Sequence, residues 1–241
     1  MLTVFHHTVV AMPPRVHPFP SLVRADFAKA AQPSRAEGMR AYLKSEMPCH
    51  GLTSAVMRQV VKDRAAEHPV RTMAEWQRVA LALWRRAAFR EERHAAIEFI
   101  RLRPFRSYRV LAAVPMFEEM IVTGAWWDLV DPLATHVLGD VLEDEPRRTA
   151  ALMRRWSRDP DMWKRRSSIL CQIGFKADTD LGLLYDCIEP NLTDRQFFIR
   201  KAIGWALRAH AWTDPREIER YVKANQTRLS GLSVREALKN V

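Results

Sequence analysis

Trp127 and Asp131 stand four residues apart in the segment IVTGAWWDLVDPL, residues 121–133. On a helix that spacing puts both side chains on one face. The face of an indole attracts positive charge, and a carboxylate beside it complements a cation. Together they make a site for a positively charged group. A plainer reading puts Trp127 in the core and uses Asp131, which precedes Pro132, near a helix boundary. Trp126 and Asp128 suit packing or solvation.

Two further clusters carry similar residue types. The first is DMWKRRSS, residues 161–168, with Trp163, Arg165 and Arg166. The second is QFFIRKAIGWALR, residues 196–208, in which Trp205 and Arg208 lie three apart. Gly204 in mid-helix costs about 1 kcal/mol against alanine, and it permits close helix packing beside Trp205. Other chemistry is excluded. The chain has no G-x-G-x-x-G, no G-x-x-x-x-G-K-[ST], no H-E-x-x-H and no C-x-x-C. Those absences argue against dinucleotide, nucleotide-triphosphate and zinc chemistry. The histidines are scattered, and His136 and His210 read as core or surface residues.

The elements that must position these clusters follow from composition and pattern. The 241 residues are 48% hydrophobic and include eight tryptophans, which is ample for a packed core. Lysine plus arginine is 38 against 28 acids, a formal charge of +10, and thirty of the 38 are arginines. Arginine's planar fork suits phosphate and carboxylate, so nucleic acid is the leading partner class. Three cysteines, Cys49, Cys171 and Cys187, form no disulfide framework and imply a reducing compartment. No apolar run reaches the roughly 18 residues of a membrane span, and the first twenty residues lack a signal-peptide layout. A cytoplasmic location follows.

Glycine is scarce, at eight residues. Apolar residues recur at three- and four-residue spacings, as in Trp76, Val79, Ala80 and Leu83, while strand-like alternation is almost absent. Asp159-Pro160 and Asp214-Pro215 read as helix starts. The pattern predicts an all-α chain of about a dozen helices. A period also emerges: Trp127 and Trp163 are 36 apart, Trp163 and Phe198 are 35 apart, and Arg165, Arg200 and Arg235 recur every 35. That is the length of a two-helix unit. Stacked units make an α-solenoid, which aligns the recurring basic residues into a stripe.

Taken together, V-T-x-x-W-W-D-x-V-D (122–131), W-x-x-R (163–166), F-F-I-x-K-A-I-G-W-x-L-R (197–208) and S-x-R-E-A (233–237) resemble the DNA alkylation repair family, the AlkD-like DNA glycosylases. The resemblance spans roughly residues 20–241, leaving residues 1–19 as an extension. It implies a single domain of HEAT-like repeats, C-shaped with a basic concave face. It also implies excision of N3- and N7-alkylated purines from duplex DNA, with no cofactor or metal and without flipping the base into a pocket. Its catalytic tryptophan and aspartate match Trp127 and Asp131, its cleft arginine Arg166 and its second cleft tryptophan Trp205. Its Gln-x-x-x-Lys matches Gln172 and Lys176. The segment from His50 to Ser54, with Arg58 and Lys62, resembles a DNA-contact segment but departs from the usual Gln-Thr-Pro. Ser54, Arg58, Lys62, Arg165, Lys176, Arg200, Lys201 and Arg208 are the expected DNA contacts, and a monomer on DNA is expected with no obligate protein partner and no membrane.

The charge of such a lesion sets the chemistry. A cationic alkylpurine leaves as a neutral base while the sugar gains oxocarbenium character. The site then needs a negative group near C1′ and aromatic walls rather than a strong acid. Asp131, ionised, is expected to stabilise the oxocarbenium ion and to position or deprotonate the attacking water. Trp127 and Trp205 are the expected walls, and Arg166 is expected on a DNA phosphate. Two other readings share these residues: a non-catalytic HEAT-repeat scaffold that grips nucleic acid, and a glycosylase specialised for bulky alkylpurine adducts.

Overall fold

A computed structural model describes residues 16–239 and 241. Most of the extension expected over residues 1–19 lies outside the described residues. Helix α1 opens at Phe19, whose ring is fully buried 4.5 Å from that of Phe99. The core therefore includes Phe19.

Among the described residues the chain is all-helical, with no strand. The α-helices are α1 (Phe19–Lys29), α2 (Pro33–Leu43), α3 (Ser54–Glu67), α4 (Met73–Arg85), α5 (Arg90–Arg101), α6 (Val114–Gly124) and α7 (Trp127–Pro132). They continue with α8 (Gly139–Asp144), α9 (Pro146–Trp156), α10 (Met162–Leu170), α11 (Leu181–Ile188), α12 (Phe197–Ala211), α13 (Pro215–Ala224) and α14 (Gly231–Ala237). Local chemistry sets many starts. The Thr53 and Thr72 hydroxyls and the Asp180 and Asp214 carboxylates each accept an N–H from the first turn of the following helix. Asp214-Pro215 is such a start. Asp159-Pro160 is not: the Asp161 carboxylate accepts from the N–H groups of Trp163 and Lys164, so the helix begins two residues later.

The helices pair and the pairs stack into an α-solenoid. One row runs α3, α5, α7, α10, α12, α14, each packed on the next. The partners α4, α6, α9, α11 and α13 form a second row; Tyr185 and Tyr221 stack at 4.1 Å between α11 and α13. Bonds between neighbouring pairs bridge about one repeat of sequence. Trp84 Nε1 donates to Thr123 Oγ1, 39 residues on, and Arg154 donates to Asp186, 32 on. Burial of the apolar stripe of each pair between its neighbours supplies the core.

Two local features shape the site. Pro132 does not end the helical path at Asp131. The chain runs on through a π-helical stretch, Leu133–Leu138, into α8. Proline has no N–H to donate to a carbonyl one turn back, and on the C-terminal side the Thr135 hydroxyl donates to the Asp131 carbonyl at 2.8 Å. Gly204 is where α12 and α14 touch. A Cβ there would lie 2.4 Å from Glu236 Cβ and 2.9 Å from the Ser233 carbonyl oxygen.

Candidate active site

Asp131 sits near the end of α7, and Arg166 reaches it from the middle of α10. Arg166 Nε donates to Asp131 Oδ1 at 2.7 Å and Nη2 donates to Oδ2 at 2.8 Å. The third arm, Nη1, donates to the Phe198 carbonyl at the start of α12, and the Phe198 ring lies 5.8 Å from the guanidinium carbon. One side chain thus ties α7, α10 and α12 together. The Arg166 side chain is only 5% exposed, so the expected phosphate contact meets a group already committed to a carboxylate and a carbonyl.

Asp131 lines an open cavity of about 390 Å³ with Trp127 and Trp205. Pro132, Ile173 and His136 complete much of the wall. Trp127, Asp131 and Trp205 are therefore brought together, with Arg166 behind the carboxylate. Both indoles are half-buried, and Tyr42 stands edge-on to Trp127 at 6.1 Å.

The aromatic period resolves differently from the spacing. Trp163 packs with Phe198 at 5.0 Å and with Trp126 at 6.2 Å. Trp126, not Trp127, shares the environment of Trp163 and Phe198. That leaves Trp127 facing the cavity.

Asp128 is buried and held rather than solvated. Both its oxygens accept from Arg90 of α5, and His94 Nε2 lies 2.9 Å from Oδ2. Its environment and that of Asp131 push in opposite directions. Burial pushes Asp128 up, but bonds from His94 and Arg90 outweigh it and take its pKa down to about 2. Burial pushes Asp131 above its ordinary value of 3.8, and Arg166 only partly offsets that rise. With both oxygens accepting from a guanidinium, the carboxylate form fits the geometry. Two acids on one turn thus differ in proton affinity.

Arg90 and His94 were not legible as partners from motifs. Their only signal is their separation from Asp128, 38 and 34 residues, close to the repeat length. His136, read as a core or surface residue, also lines the cavity.

The expected DNA contacts fall into two groups. Arg58, Lys62 and Lys176 are exposed, and Ser54 opens α3. Ser54 and Arg58 line a separate cavity of about 270 Å³, backed by Arg90 and Asp128. The others have partners within the chain. Lys201 and Arg208 share Glu236 at 2.8 and 2.9 Å. Arg165 bonds Asp194, Asn191 and the carbonyls of Asp159 and Pro160. Arg200 is half-buried and is the exception: its Nε is buried without a hydrogen-bond partner, and only its backbone carbonyl is engaged, accepting from Ser233 Oγ. Gln172 is buried, its amide donating to and accepting from the Asp180 backbone, while Lys176 after it is exposed. No group of three or more histidine, cysteine or acidic side chains is placed to hold a metal among the described residues. No helix there is long and apolar enough to cross a membrane.

Comparison with known proteins gives two findings and one blank. A family model described as DNA alkylation repair enzyme matches residues 23–241. A solved structure titled a predicted DNA alkylation repair enzyme from Enterococcus faecalis is similar to this chain at 26% identity and TM-score 0.79. The match covers 88% of this chain and 96% of that one. No curated protein matched.

Proposed function

The chain belongs to the DNA alkylation repair enzyme family, and on that premise we propose that it is a monofunctional DNA glycosylase that hydrolyses the N-glycosidic bond of cationic N3- or N7-alkylpurines in duplex DNA. The observation that carries this reading is Asp131, gripped on both oxygens by Arg166 at an open cavity walled by Trp127 and Trp205. A fixed anion between two indoles complements a cationic nucleotide, and it gains most where positive charge builds on the sugar.

The steps follow from charge. The alkylated base already carries a positive charge, so the C1′–N bond breaks with its electron pair going to the base, which departs neutral. Asp131 faces the oxocarbenium ion and stabilises it electrostatically. A water then adds to C1′ and gives up its proton to the Asp131 carboxylate. The rise that burial gives the Asp131 pKa favours that transfer. Arg166 acts as a positioning residue: its fork sets the plane of the carboxylate. The wall residues leave the cavity open, which suits a lesion read from its backbone rather than swallowed whole.

The DNA contacts on this reading are Arg58, Lys62 and Lys176, with Ser54 and Arg200 beside them. Lys201 and Arg208 would exchange Glu236 for phosphate, and Arg165 would serve from within its cage of carbonyls and Asp194. The protein acts as a cytoplasmic monomer on the nucleoid, without cofactor, metal or obligate protein partner. A second reading, specialisation for bulky adducts, draws on a cavity of about 550 Å³ that shares Thr135, His136 and Gly174 with the first.

The test is base release from a duplex carrying one 7-methylguanine. Asp131→Asn should slow release at least about a hundredfold while duplex binding stays within a few-fold. Equal release by both proteins would remove Asp131 from the chemistry. A panel of larger N3 and N7 adducts separates general repair from the specialised reading.

A further inference from the structure

Beyond Trp205, α12 carries a second indole at the next repeat of the same face. Trp205, Arg208 and Trp212 are spaced i, i+3, i+7, the interval that aligns residues along one helix face. Trp212 is the residue that closes α12, and it is 75% exposed. These three residues, with Lys176, line a groove of about 560 Å³. The groove shares Ile173 and Trp205 with the Asp131 cavity, so the two adjoin across these side chains.

The charges of the two spaces differ. Asp128 and Asp131 both line the Asp131 cavity. Among the described residues no acid lines the groove; its charged walls are Lys176 and Arg208, the latter held from behind by Glu236 at 2.9 Å. Lys176 is held with a positive φ of 53°, a conformation uncommon for a residue with a Cβ. A partner for two cations between two indoles must be anionic and also present an apolar face. The outside of a DNA strand does both, because its phosphates and sugars point outward while its bases stack within.

We propose that Trp212 packs against a deoxyribose of the lesion strand, with Lys176 and Arg208 on the adjoining phosphate, so that Trp205 and Trp212 bracket the backbone beside the lesion. This rests on the glycosylase reading of the Asp131 site. Seven helical residues span about 10 Å along the axis. At about 3.4 Å per nucleotide step, the sugar that Trp212 meets lies within about three nucleotides of the lesion. Trp212 is a positioning residue, and it makes its contribution through apolar contact rather than charge.

The test compares wild type with Trp212→Ala and Trp212→Phe on a 7-methylguanine duplex and on an undamaged duplex of the same sequence. Trp212→Ala should raise the half-saturating protein concentration in single-turnover excision about tenfold, and Trp212→Phe about threefold. The loss should fall mainly on that concentration and not on the plateau rate. The salt dependence of binding should keep its slope, because no phosphate contact is removed, whereas Lys176→Ala should lower the slope by about one. Half-saturation within about twofold of wild type, or a falling plateau rate accompanied by a lower Tm, would overturn the proposal. The two readings fail separately. If wild type releases no base, the glycosylase reading fails, and the undamaged duplex still decides Trp212. Binding about tenfold weaker in Trp212→Ala keeps the surface, and equal binding removes it.

Discussion

Arg166 and Asp131 meet fork to fork, two N–H donors on two carboxylate oxygens at 2.7 and 2.8 Å, from helices one repeat apart. The pair turns a solenoid interface into a site. It fixes the carboxylate in the plane set by the guanidinium while leaving its outer edge toward Trp127 and Trp205.

Removing Arg166 should therefore harm both stability and chemistry. Arg166→Met leaves a buried carboxylate without its partner, a loss of about 3–5 kcal/mol in comparable pairs. Arg166→Lys keeps the charge but not the fork, and should slow excision while unfolding less readily than Arg166→Met. Thermal melts and single-turnover rates check both. An Arg166→Met variant with a wild-type single-turnover rate but a salt slope lower by about one would instead put Arg166 on a phosphate.

The pH profile should carry the mark of Asp131. On the proposed mechanism the ionised form is the one that reacts, so the excision rate should rise with pH through the folded pKa of Asp131. Burial has raised that pKa above 3.8, and the acid limb should lie above the ordinary aspartate value. In Arg166→Met the opposing bonds are gone, and the limb should move to still higher pH. Rates measured across the acid range decide it; a limb unmoved by the substitution counts against Asp131 as the titrating group.

Asp128 should govern acid stability with the opposite sign. Its folded pKa of about 2 lies below the ordinary value of 3.8, so the folded state binds that proton less tightly than the unfolded chain. The stabilisation is present above 3.8 and is lost as pH falls toward 2, roughly 2 kcal/mol in all. Denaturant melts of Asp128→Asn should show a shallower loss over that window than wild type.

Gly204→Ala should destabilise the protein. The new methyl would sit 2.4 Å from Glu236 Cβ and 2.9 Å from a backbone oxygen of α14. Neither is a flexible end, so α14 must shift, at about 1–3 kcal/mol. A lowered Tm checks this; an unchanged one would mean that the C-terminal pair adapts freely.

Glu236→Gln should strengthen DNA binding. Glu236 occupies both Lys201 and Arg208, and removing its charge frees two cations for phosphate. Binding should tighten and its salt slope should steepen, which a titration across salt concentrations reads directly. A slope equal to wild type would place Lys201 and Arg208 off the DNA path.

The sequence by itself determined the helical class, because apolar residues at three- and four-residue spacing can bury a stripe only on helices. It also determined the repeat, since equal intervals between Trp163 and Phe198 and between Arg165 and Arg200 reflect equal structural units. Trp127 and Asp131 were legible as a pair because they lie on one turn. Tertiary structure decided what lies one repeat away. That Arg166 meets Asp131 while the adjacent Arg165 meets Asp194 depends on the rotation of α10 against α7 and α12, which no local spacing encodes. The same holds for Arg90 and His94 on Asp128. Contacts between solenoid layers depend on how each pair turns on the last, and the burial of whole helix faces sets that turn.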